Sequence, residues 1–252
     1  MLPGENFVYY GDGMNMPYGD RSREDILLKT RRMLCFLADC DVKVVAVACN
    51  TISTLIDYYR DEYPFKIVSV IESVVSCVRD LDAERVGVLG TTVTVRSRVY
   101  DSLISQLRPG MKVIAAVCPF LSASIEHGEL SDRSIDPQLI QAMEELRRQG
   151  DVRYVILGCT HYPLVADHLK RLYPDVTFID PAFEQAEAVK SYLVSRGALN
   201  KEENGVTRIY TSGDPDFYSL FAHYCGVASS RPVERLCITG ARCRSKKALS
   251  PA

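Results

Sequence analysis

Two cysteines occupy matching contexts in this chain, Val44-Val45-Ala46-Val47-Ala48-Cys49-Asn50-Thr51 and Tyr154-Val155-Ile156-Leu157-Gly158-Cys159-Thr160-His161. In each, a β-branched apolar run ends in a thiol, a threonine follows within two residues, and a helical pattern comes next. A pair of thiols from two related halves can address one small substrate from opposite sides. Polar neighbours separate Cys49 and Cys159 from the other cysteines, of which Cys35, Cys40, Cys77, Cys118, Cys225 and Cys237 read as small buried hydrophobes and Cys243 as an exposed thiol. Asn50, Thr51, Thr160 and His161 at two helix starts offer groups for a carboxylate and an amine.

His161 lies two residues past Cys159, near enough to accept or return the thiol proton. Taken alone, its alternative reading is a histidine capping its own helix. Glu126, in Ser124-Ile125-Glu126-His127-Gly128-Glu129, sits in a loop or short helix at the cleft edge; by itself it would be a solvated charge. Gly90-Thr91-Thr92-Val93-Thr94 follows a strand and precedes a helix, so its N–H groups and hydroxyls suit an anion. It lacks the glycine and lysine spacing of a P-loop, and no dinucleotide fingerprint occurs. Lys43 and Lys66 read as strand-edge charges, and nothing marks a pyridoxal lysine.

The elements that must position these groups are short β-branched runs alternating with helical patterns, the mark of parallel βαβ units. Strands are predicted at 6–10, 43–48, 66–70, 85–89, 112–117, 153–157, 177–180 and 208–211. Helices include 51–59, 95–106, 137–149, 164–172 and 183–196. Most strands lack polar alternation, as expected of strands covered on both faces. The class is α/β, with two pseudo-symmetric three-layer domains, parallel sheets and a cleft between them. Boundaries are expected near Glu72-Ser73 and Pro181, giving one lobe from residues 1–72 plus 183–252 and a second from 73–182. Both cysteines then fall just past the carboxyl end of a strand, where open α/β sheets bind ligands. Each precedes a helix, a position expected to lower a thiol pKa. Pro163 suits a first helical turn.

The chain has 252 residues, 47% hydrophobic and 25% charged, with a formal charge of −2, enough for one large or two modest globular cores. That charge gives no reason to propose nucleic acid or an anionic membrane as partner. No run is apolar and long enough to span a bilayer and no signal peptide is evident, so the cytoplasm is expected. Nine cysteines without close pairing, no C-x-x-C, and four histidines outside zinc-finger spacings argue for mostly reduced thiols and no structural metal. The tail 241–252 reads as a frayed, solvated end.

The pair Ala48-Cys49-Asn50-Thr51 and Leu157-Gly158-Cys159-Thr160-His161-Tyr162-Pro163, with Gly11-Asp12 and Pro17-Tyr18-Gly19 upstream, closely resembles the glutamate racemases of the aspartate/glutamate racemase superfamily. The resemblance runs from about Pro3 to Leu236 and takes in Gly90-Thr91 with Thr94, the Glu126-His127-Gly128 segment and Thr211-Ser212-Gly213-Asp214. It implies cofactor-independent inversion of glutamate, supplying D-glutamate for bacterial peptidoglycan. It further implies Cys49 as the acid/base acting on D-glutamate and Cys159 on L-glutamate. His161 assists Cys159, Glu126 is an assisting carboxylate, and Tyr18-Gly19, Asn50-Thr51, Thr91, Thr94 and Thr160-His161 bind substrate. Aspartate racemases of the superfamily carry Glu in place of His161, which favours glutamate over aspartate or another amino acid. Homodimerisation enters by analogy with such racemases.

The sequence departs from that family pattern at its amino end. Glutamate racemases begin with a strand ending in Asp-Ser-Gly, whose Asp assists the first cysteine, and no Asp-Ser-Gly occurs here. Loss of a strand from a parallel sheet would cost an amount comparable to the stability of a domain. A misassigned start or a trimmed chain is therefore expected rather than a natural protein without the strand. Cys49 is expected to lack its supporting acid, and this chain to racemise poorly. A weakly active member of the family that acts by binding is the alternative from another functional class.

Overall fold

The structure is a computed structural model describing residues 1–239. In chain order its elements are β1 (Phe7–Gly11), α1 (Arg23–Asp39), β2 (Val44–Val47), α2 (Asn50–Ser53), β3 (Lys66–Ser69), α3 (Val70–Cys77), β4 (Arg85–Gly90), α4 (Thr92–Ser97) and α5 (Val99–Leu107). There follow β5 (Lys112–Val117), α6 (Leu121–Glu126), α7 (Asp132–Gln149), β6 (Tyr154–Gly158), α8 (Ala166–Leu172), β7 (Thr177–Ile179), α9 (Pro181–Ser195), β8 (Thr207–Thr211), α10 (Pro215–Tyr224) and β9 (Glu234–Arg235). The expected tail 241–252 and Cys243 lie outside the described residues.

Among the described residues every strand pair is parallel. One sheet has the order β5-β4-β6-β7, a second pairs β2 with β3, and a third runs β1-β8-β9. The four-stranded sheet is covered on both faces. Leu121, Ile135, Leu139, Met143 and Leu146 from α6 and α7 pack on one side with Leu89, Val155 and Leu157. Val70, Ile71, Val74, Tyr100 and Ile104 from α3 and α5 pack on the other with Val86, Val88 and Ile156. The β2–β3 pair is likewise sandwiched, by α1 residues such as Ile26 and Leu34 and by Val189 and Leu193 of α9. These are three-layer α/β units, and burial on both faces explains the unbroken apolar runs of β4 and β6.

Local chemistry sets the helix ends. Ser22 accepts from the Asp25 N–H, Ser69 from Glu72 and Thr91 from Thr94, each satisfying an otherwise orphaned donor of a first turn. Pro181 begins α9 behind an Asp180 cap. Several expectations shift. The helix expected from 137 begins at Asp132 and runs through Pro137, anchored by the fully buried Ile135. The single helix expected over 95–106 is two, because Arg98 takes a left-handed conformation with φ 53°. Residues 51–59 form the four-residue α2 and a 3₁₀ turn at Ile56–Tyr58. The expected boundary at Glu72-Ser73 falls inside α3, whose packing against α9 brings it beside the other crossing at Pro181.

A cavity of about 1030 Å³ lies between these units. At one end it is lined by Tyr18, Cys49, Thr91, Cys159 and His161; at the other it runs along β1 and β2. Among the described residues β1 pairs only with β8 and β2 only with β3, so each presents an unpaired edge, and both strands line this cavity. Lys43, read from sequence as a strand-edge charge, lines this cavity, pairs with the buried Glu5 carboxylate at 2.6 Å and donates to the Ala198 carbonyl at 2.8 Å.

Candidate active site

Cys159 follows directly on the last residue of β6 and is 7% exposed. No α-helix starts behind it: residues Tyr162–Val165 form a 3₁₀ turn with Pro163 in its first turn, so the expected helix-dipole effect is weak here. A charge relay takes its place. The Cys159 Sγ lies 3.6 Å from Nδ1 of His161, and His161 Nε2 lies 2.5 Å from Oε1 of Glu126, the last residue of α6. Burial by itself would lower the His161 pKa. The hydrogen bonds and negative charges of Cys159 and Glu126 outweigh it and raise the imidazole to about 10. His161 is therefore an imidazolium across the neutral range, clamped between a sulfur and a carboxylate. Neither single-residue reading survives: Glu126 is not a solvated charge, and His161 makes no side-chain cap to its own turn.

Cys49 sits at the N-cap of α2, just past β2. It is half-buried and lines the cavity. Contrary to the expected lowering, burial pushes its thiol up to about 11, and the nearby Cys159 charge adds to the rise. The backbone N–H groups of Ile52 and Thr51 and the Thr51 hydroxyl act in the opposite sense without overcoming it. A single helical turn has too little dipole to offset that desolvation. Among the described residues no carboxylate bonds to Cys49. The two thiols of matching sequence are thus chemically unequal.

The expected binding residues gather around this pair. Tyr18, Gly19, Asn50, Thr51, Thr91, Thr160, His161 and Glu126 all line the cavity. Thr94 does not; it stands behind Thr91, with its hydroxyl 3.0 Å from that of Thr91 and 3.4 Å from that of Thr51. Thr51 and Thr91 meet at 2.9 Å, so three hydroxyls tie α2 to the start of α4. Gly19 is drawn against the same point, its carbonyl accepting from the Val93 N–H at 3.0 Å; a Cβ at Gly19 would come within 2.7 Å of Thr91. Tyr18 donates its phenol proton to Asp12, which also accepts from Ser212 at 2.6 Å and Asn15 at 2.9 Å. Sequence reasoning quoted Asp12 and Ser212 as part of motifs but could not join them, since 200 positions separate the two. It missed Tyr100, whose pattern on α5 reads as plain core.

A second polar cluster, Asp132, Asp136 and His168, has ligand atoms within 4.8 Å of one another. The Arg171 guanidinium already pairs with Asp136 at 2.7 Å and with Asp132 at 3.3 Å, which accounts for the cluster as an ion-pair network. No helix among the described residues is long and apolar enough to cross a membrane.

Comparison with known proteins identifies the family. The pattern of the Asp/Glu/Hydantoin racemase family matches residues 2–189. A glutamate racemase of Caldanaerobacter subterraneus subsp. tengcongensis is 34% identical over 214 residues, covering 84% of this chain and 78% of the relative. Among solved structures, a glutamate racemase isoform from Bacillus anthracis superposes with a TM-score of 0.86 at 29% identity over 95% of this chain and 90% of its own. The glutamate racemase of Francisella tularensis subsp. tularensis, solved with D-glutamate, gives 0.83 at 28% identity over 94% of this chain and 89% of its own. Two thiols on one cavity, in two three-layer units, with a sequence pattern matched over most of its length: this chain belongs to the Asp/Glu/Hydantoin racemase family.

Proposed function

We propose that this chain interconverts L- and D-glutamate without a cofactor, Cys49 and Cys159 working from opposite faces of the α-carbon. The observation that carries the reading is the Cys159–His161–Glu126 relay on the cavity that Cys49 also lines. The His161 imidazolium faces the Cys159 sulfur at 3.6 Å, while burial pushes the Cys49 thiol up to about 11, so Cys49 holds its proton at neutral pH. A cation beside Cys159 and a proton on Cys49 suit removal of the α-proton from the Cys159 side, the direction that starts from L-glutamate.

In that direction the Cys159 thiolate takes the α-proton and the C–H electron pair stays on Cα. The Cys49 S–H then delivers its proton to the other face, leaving a thiolate there. Reversal of the two states runs D to L. The carbanion is far more basic than a thiolate, so fixed dipoles in a water-poor site must stabilise it. Asn50, Thr51 and Thr160, which line the cavity beside the thiols, are assigned to the α-carboxylate, and Tyr18 and Thr91, on the same cavity, to the rest of the substrate. Among the described residues, a lobe of 1–72 plus 183–239 on one side of the cleft and one of 73–182 on the other would bring one thiol to each wall. In the cell the reaction would supply D-glutamate for peptidoglycan, in the cytoplasm, with a homodimer as the working state.

The elevated Cys49 pKa, with no acid beside it, favours a second reading: a chain that binds glutamate yet inverts it slowly. Circular dichroism of L-glutamate with the purified chain in deuterium oxide separates the two. Loss of optical rotation with deuterium at Cα supports racemisation. Deuterium uptake without inversion supports the slow binder, and neither event sinks the two-thiol scheme.

A further inference from the structure

Asn50 and Tyr100 come from different three-layer units and meet in the interior. Asn50 opens α2 directly after Cys49 and is 2% exposed; Tyr100 belongs to α5, with its ring in the core of the four-stranded sheet, and is 3% exposed. The phenol donates to Asn50 Oδ1 at 2.7 Å. This direction of donation is forced. A buried hydroxyl proton must find an acceptor, and among the described residues Asn50 is the only one bonded to this phenol. Burial raises the Tyr100 pKa further above its ordinary value, so the proton is always there to give.

The consequence falls on the other end of the amide. With Oδ1 engaged by Tyr100, Nδ2 is turned away from it, and among the described residues no group accepts from Nδ2. Asn50 lines the cavity beside Cys49. Its N–H bonds are thus available to a ligand oxygen, whereas a flipped amide would offer a carbonyl oxygen and repel a carboxylate.

We propose that Tyr100 is a positioning residue: its hydroxyl locks the Asn50 amide in the orientation that presents two N–H donors to the substrate α-carboxylate next to Cys49. The inference rests on the glutamate reading above. Because the contact joins the two units, it also ties the carboxylate-binding end of the site to the unit that carries Cys159.

The test is a double-mutant cycle with Tyr100→Phe and Asn50→Ala, reading KM and kcat for L-glutamate and the melting temperature of each variant. Tyr100→Phe keeps the ring and removes only the hydroxyl. The expected result is a rise in KM of about three- to tenfold, the worth of one neutral hydrogen bond, with kcat changed less than about twofold. In the Asn50→Ala background the same substitution adds nothing, because the group it positions is gone. A role confined to packing would move the melting temperature and act equally in both backgrounds. Equal effects with and without Asn50, or an unchanged KM in Tyr100→Phe, overturn the inference while leaving the glutamate reading intact. If the parent chain binds but does not turn over glutamate, that reading fails and calorimetric dissociation constants replace KM in the same cycle. Absence of glutamate binding overturns both.

Discussion

Replacing Glu126 by Gln tests the relay with the least disturbance, because the amide keeps the size of the carboxyl group and an oxygen for His161 while removing the charge. The contact at stake is the 2.5 Å bond between His161 Nε2 and Glu126 Oε1, whose side chains are 13% and 26% exposed. A hydrogen bond to a charged group at such a site contributes about 1.5–3 kcal/mol, which is about 10- to 100-fold in the population of the imidazolium. The His161 pKa is raised from 6.5 to about 10, so its positive charge is present below that pH and is lost as pH rises through it. Glu126→Gln should lower this by about one to two units and cut kcat/KM by about 10- to 100-fold. The same linkage acts on stability. The stabilisation from His161 is complete below about 6.5 and disappears as pH rises through about 10, so the variant should lose melting temperature chiefly at neutral pH and little above 10. Racemisation followed by circular dichroism from pH 7 to 11 reads the first effect and thermal melts across the same range read the second. An alkaline limb at the parental pH, with kcat/KM within about twofold, would refute the claim that Glu126 holds the charge on His161.

Since L- and D-glutamate are mirror images of equal free energy, kcat/KM must be identical in the two directions, and the inequality of the thiols has to be sought in single-face chemistry. Cys49→Ser and Cys159→Ser should each reduce inversion by at least about 100-fold; mass spectrometry should show Cys49→Ser still exchanging the α-proton of L-glutamate, and Cys159→Ser that of D-glutamate. Gly158→Ala places a Cβ 2.7 Å from the Leu89 carbonyl of the adjoining β4 strand, so β6 must shift at its end; a loss of about 1–3 kcal/mol in urea unfolding is expected, with reduced activity from the displaced Cys159. Leu146→Ala, at a fully buried position of α7, should cost about 2–5 kcal/mol by the same measurement while leaving the pH profile of the remaining folded enzyme unchanged.

The sequence by itself determined the class of fold and the chemistry on offer. Apolar runs buried on both faces show up as unbroken β-branched stretches, and the predicted strands agree with β1 through β8 to within a residue or so at most ends. The placement of Cys49 and Cys159 past strand ends followed from those runs, because a parallel sheet leaves the carboxyl ends of its strands open to ligand. Helix ends were harder. Arg98 carries no glycine-like signal for its left-handed φ, yet the break lets Thr94 before it and Tyr100 after it each reach α2, at Thr51 and Asn50 respectively.

That Cys159 has a helper in His161 and Cys49 lacks one was expected from the sequence; only the tertiary structure decided the electrostatic setting of each thiol. Glu126 lies 35 positions before His161 and is brought to it by α6 packing beside the turn after β6, so the charged relay has no local signature. Position at a helix start suggests a lowered thiol pKa in any sequence reading. At Cys49 the opposite holds, because desolvation depends on every neighbour in space whereas the dipole of α2 comes from one turn of chain. The partners of Asp12 and Asn50 were hidden for the same reason: a hydrogen bond is fixed by distances of 3 Å between atoms, and residues 200 or 50 positions apart acquire such distances only when the sheets and helices between them have packed.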